Sequence, residues 1–237
     1  METFRVIIEK YGSGLRKQDS EQKPMQLYKY FPNVVRAAIV GPSNFGKTNL
    51  LVKILTDPNG IAYSNIYLYS KSLDQQEYIN LENFVRSKEL KKENINIGFF
   101  TYNSPDDVIR IEDIPEFSVM IFDDVASDKQ QIIEEYFSRG RHKSISCFYL
   151  CQTFSRIPKQ MIRDNLNMVI VFELTDNTNL KHIFDDYVTH MTFENFKQIC
   201  NSCWKSEYDF LAINLERKAN NARYSRNFTE KLILTLT

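Results

Sequence analysis

The sequence contains no apolar run of the roughly 20 residues that a helix needs to cross a bilayer. Its apolar segments, such as 34–40 and 168–172, are much shorter. The first ten residues, METFRVIIEK, carry charges through their apolar run, which predicts a strand rather than a secretion signal. We therefore expect neither an integral membrane protein nor a membrane partner.

Net charge is also absent, because 30 lysine and arginine residues balance 30 aspartate and glutamate residues. A neutral chain gives no global indication of nucleic-acid binding. The distribution is nevertheless uneven. Residues 106–135 contain ten acidic and two basic residues, whereas residues 139–163 contain six basic residues and no acidic one. This second, acid-free segment is a candidate for contact with the DNA backbone.

Cysteine is scarce, with four residues in the chain. Cys147 and Cys151 fall in an apolar run, and Cys200 and Cys203 form a single Cys-x-x-Cys. A zinc site would need two more ligands, and the two nearby histidines match no common zinc spacing. We expect reduced structural cysteines rather than a metal site.

From residue 34 onward the sequence alternates short apolar runs with segments of helical spacing. Its 237 residues suit one α/β domain. The predicted strands are 34–40, 65–69, 95–100, 119–122, 145–151, 168–172 and 208–215. The predicted helices and helical turns are 47–55, 74–89, 104–109, 128–138, 158–163, 177–186 and 192–200. This alternation predicts a mostly parallel sheet with helices on both faces.

We expect domain boundaries where the alternation of apolar runs and helical segments begins, changes or ends. Residues 1–33 are predicted to form an amino-terminal strand and an extended arm. Residues 34–215 form the main domain, with a core at 34–175 and a helical and strand extension at 176–215. Residues 216–237 are polar and basic, and we expect a tail that is mobile or docks on a neighbour.

A phosphate-binding loop lies between the first strand of this alternation and the helix that follows. Its residues are Gly41, Pro42, Ser43, Asn44, Phe45, Gly46, Lys47 and Thr48, followed by Asn49. Glycines let the backbone wrap around phosphate, and successive N–H groups at a helix amino terminus bind anions. Lys47 is predicted to neutralise the β- and γ-phosphates, and Thr48 to place its hydroxyl on Mg²⁺. The segment predicts a P-loop nucleoside triphosphatase that binds ATP and Mg²⁺, rather than a glycine turn with a solvated lysine.

Two adjacent acidic residues, Asp123 and Asp124, follow the apolar run at 119–122. In a P-loop ATPase an acid at the end of a buried strand holds Mg²⁺ opposite the phosphate loop. We therefore predict that Asp123 binds Mg²⁺ and that Asp124 polarises the attacking water as general base. The alternative is that the pair caps the helix predicted just beyond it.

A polar amide, Gln152, ends the next predicted strand, where it can report the γ-phosphate. A strand between the two nucleotide motifs that ends in such a residue resembles AAA+, RecA-like and FtsK-like motors. The strings FDDV at 122–125, SRGRHKSIS at 138–146 and YLCQTFSRIPKQMIRDN at 149–165 are more specific. They resemble the poxvirus-type genome-packaging ATPases of the FtsK/HerA superfamily, which also serve virophages and polinton-like viruses.

The resemblance spans residues 35–174 and implies a RecA- or FtsK/HerA-like fold. In such ring motors an arginine of one subunit reaches the γ-phosphate of the next. The candidates are Arg139, Arg141 and Arg163, and the first two are favoured because they precede the strand that ends in the sensor amide. A DNA contact is the alternative role for these arginines. At Asp124 the chain departs from cellular relatives, which usually carry glutamate there.

The sequence therefore predicts an ATP-hydrolysing motor, stimulated by double-stranded DNA, that translocates viral DNA into a preformed capsid. The implied partners are double-stranded DNA, viral capsid proteins, and further copies of the chain in a pentameric or hexameric ring. For Arg156 and Lys159, contact with the DNA backbone and a solvated loop are equally supported. The implied location is the viral assembly site in the host cell cytoplasm and, transiently, the virion vertex.

Two alternative functions stay open from the sequence. The first is another P-loop enzyme, either a helicase or a nucleoside kinase. The second is a nucleotide-gated capsid assembly or scaffold protein with slow turnover.

Overall fold

The apolar runs become neighbouring strands of a single sheet in the computed structural model, which describes residues 4–10, 30–87, 96–219 and 221–236. The strands are β1 (Phe4–Lys10), β2 (Arg36–Val40), β3 (Asn65–Ser70), β4 (Gly98–Tyr102), β5 (Ser118–Asp123), β6 (Ser146–Cys151), β7 (Met168–Phe172), β8 (Phe210–Asn214), β9 (Tyr224–Arg226) and β10 (Glu230–Leu236). The helices are α1 (Lys47–Thr56), α2 (Gln76–Val85), α3 (Gln131–Arg139), α4 (Asn177–Tyr187) and α5 (Phe193–Cys203).

The ten strands lie in the order β1-β10-β9-β8-β7-β2-β6-β5-β3-β4. The six strands from β7 to β4 are parallel. The other four extend the sheet beyond β7 through antiparallel pairs. The predicted α/β fold with a mostly parallel sheet is confirmed.

Helices cover both faces of the central strands, as predicted. In β2, Ala37 and Ile39 pack in the core layer that contains α1 and α2, whereas Ala38 and Val40 pack in the layer that contains α3, α4 and α5. Because both faces are covered, these strands are continuous apolar runs rather than alternating ones. None of the helices in the described ranges is long and apolar enough to cross a membrane.

Some predicted elements are shorter than expected or fall outside the described ranges. The predicted short helix at 104–109 is reduced to a 3₁₀ turn at Pro105–Asp107. The predicted helical turn at 158–163 is present, since the N–H of Ile162 donates to the carbonyl oxygen of Pro158 at 3.3 Å, and a 3₁₀ turn follows at Arg163–Asn165. The end of the predicted helix 74–89 and the start of the predicted strand 95–100 lie in residues 88–95, outside the described residues. Most of the predicted amino-terminal arm, residues 11–29, lies outside them as well.

The carboxyl-terminal segment is not the mobile or docking basic tail that we expected. It contributes β9 and β10, and β10 pairs with β9 on one side and β1 on the other. Tyr224 and Leu232 are fully buried. The basic Arg226 is paired with Asp209 at 2.7 Å and with Glu230 at 3.3 Å. Buried alternate side chains and internal ion pairs therefore make this polar segment part of the sheet.

All four cysteines are buried free thiols. Burial raises the pKa of Cys147 and of Cys151 to about 12, so both are protonated at neutral pH. Within the described part of the chain, no group of three or more histidine, cysteine, aspartate or glutamate side chains is arranged to hold a metal ion.

Candidate active site

The phosphate-binding loop joins the end of β2 to the amino terminus of α1. Gly46, the residue before α1, has φ of 85°, a left-handed conformation that favours glycine. A Cβ atom on Gly41 would lie 2.7 Å from a side-chain atom of β7, so this position also requires glycine. Lys47 donates a hydrogen bond from Nζ to the carbonyl oxygen of Pro42 at 2.7 Å. The loop therefore presents its lysine and the helix amino terminus together, as an anion site requires.

Asp123 is the last residue of β5 and is 6% exposed. The hydroxyl of Tyr78 donates to its Oδ2 at 2.7 Å. Burial raises the pKa of Asp123 above its usual value, and the hydrogen bond from Tyr78 and the charge of Lys47 offset this only in part. A nearby cation would stabilise the ionised form of this buried carboxylate.

Asp124 follows at the surface in a left-handed backbone conformation, with φ of 55°. Its N–H donates to the carbonyl oxygen of Leu150 in β6 at 3.4 Å. Strained backbone of this kind is concentrated at functional sites. The alternative role as a helix cap is not seen, because α3 begins at Gln131 and its N-cap residue is Gln130.

A cavity of about 440 Å³ brings the two nucleotide motifs together. It is lined by Lys47 and Thr48 of the loop, by both acids at 123 and 124, and by Gln152. The reason is the strand order: β6 lies between β2 and β5, and the carboxyl ends of parallel strands meet at one edge of the sheet. The intervening strand predicted from the sequence is therefore present.

Six of the nine predicted nucleotide-binding residues line this cavity, namely Ser43, Asn44, Gly46, Lys47, Thr48 and Asn49. Gly41, Pro42 and Phe45 do not line it. The side chain of Phe45 packs against the core instead.

The donor atoms of the cavity fit Mg²⁺, which prefers oxygen ligands. Thr48 offers a hydroxyl and Asp123 a carboxylate. Gln75 adds an amide oxygen, because its Oε1 lies 3.4 Å from Oγ1 of Thr48. A divalent cation at this point would also supply the positive charge that the buried carboxylate lacks.

Three residues at the start of α2 were not predicted from the sequence, and two of them line the cavity. Gln75 and Glu77 line the cavity, and Oε1 of Glu77 accepts a hydrogen bond from Asn49 at 3.2 Å. Tyr78 binds Asp123, as described above. These residues follow β3, which is paired with β5, so they reach the same edge of the sheet. The sequence signal that could have identified them is the polar string DQQE at 74–77, which begins four residues after the end of β3.

None of the three predicted arginines lines the cavity of its own chain. Arg139 forms an ion pair with Glu112 at 3.0 Å. Arg141 lies in the turn after α3, is exposed, and forms no ion pair with the described residues. Of the two favoured arginines, Arg141 is therefore the one whose charge is not already matched within the chain.

Arg163 does not suit the role of an arginine that reaches another subunit. Its Nη1 donates to Oδ2 of Asp186 at 2.7 Å, and both side chains are 11% exposed. Its guanidinium lies 5.1 Å from the ring centroid of Phe154. Lys159 binds the same aspartate at 3.0 Å, which also makes a contact of Lys159 with DNA less favourable. Through Asp186, Arg163 and Lys159 therefore link α4 to the turns that follow β6.

Arg156 is exposed and lies next to the nucleotide site. It lines a smaller cavity of about 220 Å³ together with Asp124 and Gln152. This cavity adjoins the nucleotide cavity, because both contain the same aspartate and glutamine.

The comparison with protein families agrees with this geometry. The family model described as "Poxvirus A32 protein" matches residues 25–201, well over half of the chain. The chain belongs to this family. The resemblance predicted from the motif strings is thereby confirmed for this poxvirus A32 family member. No curated protein matches the chain.

Solved structures of viral proteins share the fold of this A32 family member. The genome packaging NTPase B204 from Sulfolobus turreted icosahedral virus 2, in complex with sulfate, has a TM-score of 0.55 and 14% identity, over 86% of this chain and 97% of that chain. The DNA-packaging ATPase B204 from Sulfolobus turreted icosahedral virus has a TM-score of 0.53 and 16% identity, over 85% of this chain and 97% of that chain. At such low identity the likeness establishes the fold alone.

Replacing Tyr78 with phenylalanine removes a hydrogen bond that lowers the pKa of Asp123, so that pKa should rise further. If Asp123 must be ionised to hold Mg²⁺, the loss of activity on acidification will begin at a higher pH in this variant than in wild type. We expect kcat/KM at the acidic end of the profile to fall about tenfold below wild type, since a hydrogen bond to a charged group is removed. The measurement is kcat/KM for ATP against pH.

The matched control is Tyr136→Phe, because the buried Tyr136 hydroxyl donates to the carbonyl oxygen of Ile109 at 2.7 Å, outside the cavity. Its profile should coincide with that of wild type. If the profiles of Tyr78→Phe and wild type coincide, the ionisation of Asp123 does not determine the fall of kcat/KM at acidic pH.

Proposed function

We propose that this protein is an ATP-hydrolysing motor that translocates double-stranded viral DNA into a preformed capsid. One observation carries the proposal: Lys47, the two acids at 123 and 124, and Gln152 surround one cavity in a member of the poxvirus A32 family. The structurally similar B204 proteins are described as a genome packaging NTPase and a DNA-packaging ATPase. A hydrolytic P-loop site on this fold suits a packaging motor.

In the proposed site the loop residues bind the triphosphate and its metal ion. Lys47 neutralises the β- and γ-phosphates. Thr48 and Asp123 would hold Mg²⁺, and the amide oxygen of Gln75 lies next to Thr48. When bound, Mg²⁺ offsets the negative charge that the phosphates develop during hydrolysis.

Asp124 is the proposed general base. It accepts a proton from the attacking water while the water oxygen bonds to the γ-phosphorus. The bond from that phosphorus to the bridging oxygen breaks, and ADP leaves with the electron pair. Gln152, exposed at the end of β6, is placed to orient the water or the γ-phosphate through its amide. Aspartate is shorter than the glutamate of cellular relatives, so the water must lie close to the backbone of residue 124.

Arg141 is the proposed arginine that completes the site of a neighbouring subunit. Arg139 is held by Glu112 and Arg163 by Asp186, whereas Arg141 is exposed and unpaired among the described residues. A cation that reaches the γ-phosphate offsets charge in the transition state. The site of one chain is then incomplete, which is the reason for proposing a pentameric or hexameric ring.

The DNA partner is proposed from the family rather than from the acid-free segment at 139–163. Much of the charge of that segment is used within the chain, since Lys143 donates to three backbone carbonyl groups and three other cations form ion pairs. Of its six cations, Arg141 and Arg156 are the two whose side chains form neither an ion pair nor a hydrogen bond with the described residues. The capsid partner and the viral assembly site in the host cytoplasm are likewise proposed from the family.

The family assignment favours neither alternative function. A helicase or nucleoside kinase shares the phosphate loop, but the adjacent Asp123 and Asp124 suit water, rather than a second nucleotide, as the acceptor. A scaffold protein with slow turnover would not need both acids and the amide around one cavity.

Replacing Lys47 with alanine should lower ATP hydrolysis more than a hundredfold, because the charge that neutralises the β- and γ-phosphates is lost. For wild type, adding duplex DNA should raise the hydrolysis rate several-fold. The control is Lys129→Ala, which removes an exposed lysine outside the cavity and should keep the wild-type rate. Thermal unfolding should be similar for all three chains. Turnover that persists without Lys47, or a wild-type rate indifferent to DNA even with capsid present, would count against the proposal.

Mixing two inactive variants tests the shared site. An Arg141→Ala chain keeps an intact phosphate loop, and a Lys47→Ala chain keeps an intact Arg141. If Arg141 acts on a neighbour, mixed rings contain some complete sites, and the mixture should recover at least about a tenth of the wild-type rate. The rate of the mixture is compared with the sum for the separate variants. A mixture no more active than that sum would show that Arg141 does not act between subunits. Mixing Arg139→Ala in the same way shows which of the two arginines is responsible.

A further inference from the structure

A second cavity, of about 420 Å³, lies directly beside the phosphate loop on the side away from the acids. It shares Gly46, Asn49 and Tyr208 with the nucleotide cavity, so the two cavities adjoin. Its other walls include Phe172 at the end of β7 and Phe210 at the start of β8. The loop is thus flanked by a polar cavity on one side and an aromatic one on the other.

The strand order fixes which end of a nucleotide faces each cavity. From β2, the sheet continues through β6 and β5 on one side and through β7 and β8 on the other. The acids and Gln152 follow β5 and β6, and they act on the γ-phosphate in the proposed function. The opposite end of a nucleoside triphosphate, its ribose and base, must then extend toward β7 and β8. The aromatic cavity lies in that direction, at the end of β7 and the start of β8.

Tyr208 stands at the junction of the two cavities. Its side chain is near the loop, since a Cβ on Gly46 would lie 3.1 Å from Cδ1 of its ring. The residue is 54% exposed, although it is a large aromatic residue, and its backbone has φ of 68°. A bulky residue in this conformation is uncommon and is found where the surrounding structure imposes it.

The outer wall is the tip of the β9–β10 hairpin, formed by Asn227 and Phe228. Both have positive φ, 52° and 57°. The amide of Asn227 is committed within the chain: its Oδ1 accepts from the N–H of Phe210 and its Nδ2 donates to Asp209. Because this amide is already bonded at both ends, the hairpin tip contributes the ring of Phe228 to the wall rather than a free amide.

We propose that this aromatic cavity binds the base and ribose of the nucleoside triphosphate, with the Tyr208 ring stacked on the base; the assignment rests on the proposed function. Stacking on an aromatic face is tolerant of base identity, since every base has a π-face. Tyr208, Phe210, Asn227 and Phe228 all lie beyond residue 201, where the match to the family ends. The carboxyl-terminal strands thus complete the nucleotide site from outside the part of the chain that the family defines.

The experiment compares two ligands that differ only in the nucleoside, MgADP and magnesium pyrophosphate, by calorimetric titration of the full chain. Replacing Tyr208 with alanine should weaken ADP binding about tenfold, the loss expected for one base–aromatic stack, and leave pyrophosphate binding within about twofold. Tyr208→Phe keeps the ring and should bind both ligands like wild type. In hydrolysis, Tyr208→Ala should raise KM for ATP and leave kcat near wild type.

Phe117→Ala is the matched control, because Phe117 is 62% exposed but precedes β5, at the opposite edge of the sheet from the loop. It should change the binding of neither ligand. Equal losses for ADP and pyrophosphate with Tyr208→Ala, or no loss for either, would overturn the base assignment while leaving the proposed function intact. A wild-type chain that binds neither ligand would contradict the proposed function and this assignment together.

Discussion

Backbone hydrogen bonds among β2, β6 and β5 hold the catalytic edge of the sheet together. The N–H of Gly41 donates to the carbonyl oxygen of Cys151 at 3.2 Å, and that of Asp124 donates to Leu150 at 3.4 Å. Both acceptors belong to the strand that ends next to Gln152. Because buried backbone groups must be paired, the loop, the acids and the amide cannot shift separately without leaving polar groups unpaired. The geometry of the site is therefore a consequence of parallel strand pairing.

The antiparallel half of the sheet has a different anchor, the carboxylate of Asp209. It accepts hydrogen bonds from Arg226 at 2.7 Å, from the N–H of Ser206 at 2.9 Å and from Asn227. Burial alone would raise the pKa of Asp209, but these hydrogen bonds lower it, so the group is charged at neutral pH. The anchor fixes both the segment that carries Tyr208 and the tip of the β9–β10 hairpin. The two halves of the sheet then meet at the phosphate loop.

That the phosphate loop, the acid pair and Gln152 meet at one cavity could be predicted from the sequence, because each follows an apolar run and parallel strands bring such ends together. The contact of Tyr78 with Asp123 spans 45 residues and depends on β3 lying beside β5, which no local pattern reveals. The partner of Arg163, Asp186, lies 23 residues away on α4, and this contact likewise depends on how distant segments pack. In the carboxyl-terminal segment, average polarity concealed the alternation that buries Leu232. Motifs that are local in the sequence could therefore be predicted, whereas contacts between residues that are distant in the sequence could not.

We propose that ATP is hydrolysed in a site shared between the subunits of a ring that is driven by ATP hydrolysis and stimulated by duplex DNA. The most direct test of this proposal is the rate of ATP hydrolysis per subunit, measured with saturating duplex DNA over a range of protein concentrations. If a neighbour completes the site, the rate per subunit should rise steeply as the chain assembles and then level off. A rate per subunit that is constant from dilute monomer to assembled ring would contradict the account.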